Sequence, residues 1–298
     1  MYRNLSPKAL GITGRQSEIV ELALTYGFRG MELDIYDFVK RVEHHGLEHT
    51  TRFIRSAQIK IGGFELPVRW RGDEALFRAD LEKLDEQAGL AASAGAKNCH
   101  TLVLPASDTL PYHENFELHR HRLGELAGVL DKHQMRLGVG LLAAPSHRQE
   151  KQFQFICEAD ALVTLIKTVG SKNLGLMLDT WNWHYGGGTL EMLRSVGVAG
   201  IVSVHLADGP AGVDRATITE EQRLLPSPDG DVGILAVLGL LNELGYRGPI
   251  TLMPHPRCFT GKTRDAIVQQ CGSVLEELWR AIGLSRTGRF APATAEHA

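Results

Sequence analysis

A chain of 298 residues with 43% hydrophobic and 22% charged content is long enough for two domains or for one α/β barrel, which takes about 250 residues. The net charge of −3 and pI near 6.5 leave no basic footprint for nucleic acid or an anionic membrane, and no run approaches the roughly 18 apolar residues of a membrane span. MYRNLSPKAL lacks the apolar core of a signal peptide, and Cys99, Cys157, Cys258 and Cys271 form no CxxC pair, so free thiols in a reducing cytoplasm are expected.

Residues 9–12 read as a short first strand and 15–26 as a first helix, with Ile19, Leu22 and Ala23 on one side. The turn Gly27-Phe28-Arg29-Gly30 leads into a second strand, 31–34, which carries Glu32. A helical stretch, 36–57, precedes a third strand, 59–64, that ends at Glu65. Residues 73–94 have amphipathic spacing through Leu76, Phe77, Leu81, Leu84, Ala88 and Ala91, and Gly95 stops that helix. A fourth strand (98–104), a helix (115–133), a fifth strand (135–142) and a helix from about 148 to 170 follow. The apolar run 174–178 is the sixth strand. It ends at Asp179 and is followed by Thr180, Trp181, Asn182, Trp183 and His184. Glycines 186–188 read as a loop, with no Lys-Ser/Thr of a phosphate cradle behind them, before a short helix at 189–195. GIVSVHL (200–206) is the seventh strand, ending at His205 with Asp208 beyond it. A polar loop (209–230), a helix (234–244), an eighth strand (248–253) and a last helix (263–282) complete the pattern.

Eight strand–helix units describe one (β/α)8 TIM barrel, a single domain over 1–283, with a Ser/Thr/Ala/Pro-rich tail at 284–298 expected to be flexible. A doubly wound sheet is the competitor, but no Gly-rich fingerprint follows the first strand. In a barrel, chemistry collects at the C-terminal strand tips: Glu32, Glu65, His100 and the residues after it, Gly140, Asp179, His205 with Asp208, and Met253 with His255. A carboxylate and an imidazole on adjacent tips, Asp179 and His205, suit a divalent cation, though two ligands are fewer than such a site usually needs, and the other reading of His205 is a strand-end histidine satisfied by a backbone carbonyl. The other reading of Asp179 is a helix cap or a turn with Thr180.

FRGMELD, NLGLMLDTWNWH, VSVHLADGPAG, QRLLPSPDGDVGI and GYRGPITL, in this order and spacing, resemble the xylose isomerase-like barrels, the sugar phosphate isomerases/epimerases. The resemblance runs over about 10–279. It implies a sugar- or polyol-like substrate and a metal (Mn, Mg, Co or Zn) held by Glu, Asp, His and Glu at four strand tips. The glutamates there also shuttle a proton beside a carbonyl. On this chain the Asp matches Asp179 and the His matches His205, which makes both metal and catalytic candidates. Gly140 and Met253 stand where the two glutamates are expected, and neither offers a ligand for a hard cation.

His255 and His147 are the possible substitute ligands, and Glu32, Glu65 and His100 are candidate acids or bases. His184, or Asn182 in its slot, is a candidate substrate contact. Trp181 and Trp183 are candidate stacking surfaces for a sugar face, with buried packing as the alternative. Asp208 belongs to the same end. Arg223, matching the arginine of the family's R-x-LPG-x-G segment, is expected to grip substrate oxygens or to bridge Glu220 or Asp208. Two functions are carried forward. One is a sugar isomerase/epimerase acting on a small polyhydroxylated carbonyl compound through an altered metal site. The other is a metal-free descendant that binds a carbohydrate-like ligand or serves as a non-catalytic subunit. An abasic-site endonuclease fits poorly without a basic face. No nucleic-acid or membrane partner is expected, and barrels of this type often pair as homodimers.

Overall fold

The apolar runs become the staves of one closed sheet in the computed structural model, which describes residues 1–285. The staves are β1 (Tyr2–Leu5), β2 (Gly30–Glu32), β3 (Lys60–Glu65), β4 (Asn98–Leu102), β5 (Arg136–Gly140), β6 (Leu174–Asp179), β7 (Ile201–Leu206) and β8 (Pro249–Leu252). Each pairs in parallel with its sequence neighbours, and β8 closes on β1 through Arg3 opposite Ile250. Every residue of β6, β7 and β8 is buried, as expected of a sheet covered on both faces. The ring outside includes α1 (Gln16–Thr25), α2 (Ile35–His45), α3 (Leu47–Ala57), α4 (Glu74–Ser93), α5 (Tyr112–Asp131), α6 (Ala159–Val169), a one-turn α7 (Thr180–Tyr185), α8 (Leu190–Gly200), α9 (Ile234–Glu243) and α10 (Arg264–Ala281). Among the described residues no helix is long and apolar enough to cross a membrane.

Three expectations are corrected. The first stave is Tyr2–Leu5; residues 9–12 instead close a turn, with Leu10 N donating to Ser6 O and Ile12 N to Pro7 O. Arg3 and Asn4 disguise the strand, because Asn4 is polar yet 1% exposed inside the barrel, its Nδ2 donating to Thr251 Oγ1 at 2.9 Å. A side chain at Gly62 would collide with that amide, which explains the first glycine of the pair in β3. The stretch 36–57 is two helices, broken at Gly46, whose φ of 78° is left-handed. The helix expected from 148 begins only at Ala159. Before it come a 3-10 turn (Pro145–His147) and a two-stranded ribbon, Ala106–Ser107 with Phe153–Gln154. The run HRQEKQFQ offers no apolar stripe to bury as a helix. Leu284 is buried, its N donating to Trp279 O at 2.8 Å. The rest of the expected tail, 286–298, lies outside the described residues.

Candidate active site

A cavity of about 900 Å³ opens over the C-terminal strand tips. Its lining includes Glu32, His100, Asp179, His205, Arg223 and Met253. Asp179 and His205 are register partners at the ends of β6 and β7. The strand β6 runs straight into α7, and Asp179 is both strand tip and helix N-cap: its Oδ1 accepts from Asn182 N at 2.9 Å. The two readings of Asp179 from sequence are therefore not exclusive.

The other oxygen of Asp179 meets Arg223. Nη2 donates to Oδ2 at 2.5 Å, and both side chains are under a tenth exposed. Nε donates to Met253 O at 3.1 Å, Nη1 lies 3.7 Å from Glu220, and the guanidinium sits 5.0 Å over the Trp181 ring. Arg223 is delivered there by a clasped loop. The backbones of Asp208 and Leu224 exchange two hydrogen bonds, and the buried Asp208 carboxylate accepts from the N–H groups of Gly209, Ser227 and Val232. His255 N then donates to Arg223 O at 2.9 Å.

Across the mouth a second cluster assembles from β2, β4 and β7. Ligand atoms of Glu32, His100 and His205 all lie within 4.8 Å of one another, the group of metal-ligating residues found among the described residues. His205 Nε2 stands 3.5 Å from Glu32 Oε1, close enough for an ion pair, but it makes no hydrogen bond. The His100 and His205 rings meet edge to face at 5.4 Å. Ser6 donates its hydroxyl to Glu32 Oε2 at 2.6 Å. Burial pushes the Glu32 carboxyl up, but the His205 contact, the charges of His100 and His205 and the Ser6 hydroxyl outweigh it and hold it at about 2. Burial pulls the His100 imidazole down, the Glu32 carboxylate pulls it back up and the His205 charge adds to the lowering, with the net shift downward.

The remaining sequence candidates divide. Asn182 and His255 line the cavity, with Asn182 Oδ1 accepting from Ala143 N and His255 Nδ1 from Arg257 N. His147 and His184 are not in the lining; His147 bonds Glu220 at 3.0 Å and His184 lies 4.0 Å from Asp231. Trp181 is fully buried beneath Arg223, and Trp183 is buried with its Nε1 donating to Thr189 O, so neither offers a face for stacking on a sugar. Asp208 serves the loop rather than Arg223. A Cβ at Gly140 would strike the Met177 methyl, so that corner is filled by thioether. Sequence reading missed Ser6, because misplacing the first stave hid the fact that Ser6 follows its tip.

The sequence matches the family described as Xylose isomerase-like TIM barrel over residues 20–276. The chain belongs to the xylose isomerase-like TIM barrel family. Among relatives, inosose isomerase from Halalkalibacterium halodurans is 29% identical over 127 residues, covering 41% of this chain and 43% of that protein. Inosose isomerase from Bacillus velezensis is 20% identical over 238 residues, 78% of this chain and 81% of that protein. Of solved structures, a xylose isomerase domain protein from Alicyclobacillus acidocaldarius superposes with TM-score 0.84 at 23% identity, covering 95% of this chain and 99% of its own. The IOLI protein with a binding zinc atom gives 0.78 at 16%, covering 93% and 98%. Of the four cation ligands that the sequence resemblance implies, this chain keeps Asp179 and His205. Two corners are Gly140 and Met253, and a cation at Asp179 would sit beside the Arg223 guanidinium, like charge against like in a buried setting.

Proposed function

We propose that the chain is a sugar isomerase/epimerase-class enzyme acting on a small polyhydroxylated carbonyl compound. The observation that carries this reading is the cavity itself, with a carboxylate–guanidinium pair on one side and a carboxylate–imidazole cluster on the other. The two inosose isomerases among its relatives support the substrate class. No step is assigned to a cation in the four-ligand position, because the residues for it are missing.

The chemistry is proton transfer beside a carbonyl. A base removes hydrogen from the neighbouring carbon and the electron pair moves to the carbonyl oxygen, giving an enediolate. The proton returns to the other carbon while the hydroxyl hydrogen passes between the two oxygens. Asp179 is the assigned proton carrier, since each carboxylate oxygen keeps a lone pair beyond the bond it accepts. Arg223 and Asn182 orient it. Glu32, His100 and His205 face the substrate oxygens. With both expected glutamates absent, a single carrier favours same-face transfer between adjacent carbons over inversion, which needs a second base on the opposite face.

The test is deuterium incorporation from D2O into inososes and ketohexoses. The account expects label at the carbon beside the carbonyl, with Asp179→Asn slowing it by about 10²–10⁴-fold, the usual worth of a positioned base. The metal-free, non-catalytic binder is favoured by the loss of both glutamates at Gly140 and Met253. Tight binding of these compounds with no label would establish that alternative.

A further inference from the structure

We infer that Glu32, His100 and His205 form a site for one divalent transition-metal cation, sharing only His205 with the four-ligand arrangement of the family. The three come from β2, β4 and β7, and their ligand atoms already lie within 4.8 Å of one another around a point facing the cavity. Two imidazoles and one carboxylate make a donor set suited to zinc, cobalt or manganese, and three protein ligands leave a further position open to substrate oxygen.

Two observations point to a ligand rather than to a finished core. His205 is 2% exposed, yet its Nε2 has no hydrogen-bond partner, although it lies 3.5 Å from Glu32 Oε1. A buried ring nitrogen left unpaired is costly, and native structures rarely retain such a group without a role. Glu32 is already supported from behind. The Ser6 hydroxyl holds Oε2 at 2.6 Å and leaves Oε1, the oxygen nearer His205, free to turn to a cation. The local charge also fits. Arg223 is neutralised by Asp179, and the rim lysine, Lys8, is paired with Glu65 at 2.6 Å, so neither answers the Glu32 charge.

This inference shares the cavity of the proposed function but is tested on metal alone, so either can fail without the other. The full chain, stripped with chelator, is titrated with zinc by calorimetry and with cobalt by visible absorption. The expected result is one equivalent bound, with a cobalt d–d spectrum of low coordination number. Affinity falls at least tenfold in His100→Gln and in Glu32→Gln and is retained in Asp179→Asn and His255→Ala. Because buried variants can misfold, imidazole 15N resonances of the unaltered chain are followed in parallel; zinc should move those of His100 and His205 and leave His255 in place. Absence of stoichiometric binding overturns the inference. So does binding that survives His100→Gln but is lost in Asp179→Asn, since the cation would then occupy the family position.

Discussion

Arg223 and Asp179 decide the character of one side of the mouth. Breaking a buried ion pair from one side leaves an uncompensated charge, so Arg223→Ala should destabilise the chain by about 3–5 kcal/mol in urea unfolding. The double variant Asp179→Asn with Arg223→Met should recover much of that loss, because an amide and a thioether leave no charge stranded. A double-variant loss equal to the sum of the two single-variant losses would show that the pair is not coupled. At this scale the residues that line the cavity together, Asp179, His205, Glu32, His100 and Arg223, are all visible in the sequence as strand-tip or loop-motif residues. What it withheld was the pairing. Asp179 and Arg223 are separated by 44 residues and Glu32 and His205 by far more, and no local pattern distinguishes a guanidinium bonded to Asp179 from one bonded to Asp208.

Elements place those residues. The loop after β7 reaches Asp179 because Asp208 satisfies three backbone N–H groups within it, and at Gly230 a side chain would collide with that carboxylate. Asp208→Ala should leave the barrel folded while opening the loop, read as faster proteolytic cleavage within 209–230 and weaker ligand binding. An unchanged cleavage rate would contradict the clasp. On the other side of the barrel Asp80, on α4, accepts from Arg69 through side-chain Nε at 2.7 Å and Nη2 at 2.9 Å and backbone N at 3.0 Å. The Arg69 side chain leads the causes that hold Asp80 down at about 2, against burial, which raises it. A depressed carboxylate contributes stability above its unfolded value near 4, and that contribution is lost as pH falls toward 2. Asp80→Asn should therefore be less stable than the parent at pH 6, with the gap closing between about pH 4 and 2; a constant gap would exclude the ionic contribution. Where elements were misread, the cause is specific. The polar β1 was hidden by Asn4 and Arg3, whose burial depends on partners near the opposite chain end, Thr251 for Asn4 and Gly272 for Arg3.

For the whole molecule, apolar runs at regular spacing were enough to foresee a closed barrel, and membership of the xylose isomerase-like family agrees with it. Fold and function separate here. The barrel brings eight tips to one mouth whatever stands on them. The group formed by Glu32, His100 and His205 draws on β2, β4 and β7, strands that do not adjoin one another, so only closure of the sheet brings it together. The most direct test is a zinc-edge anomalous difference map from a crystal of the full chain soaked in zinc. The account predicts a single strong peak between Glu32, His100 and His205; a peak on Asp179 beside Met253, with Arg223 displaced, would contradict it.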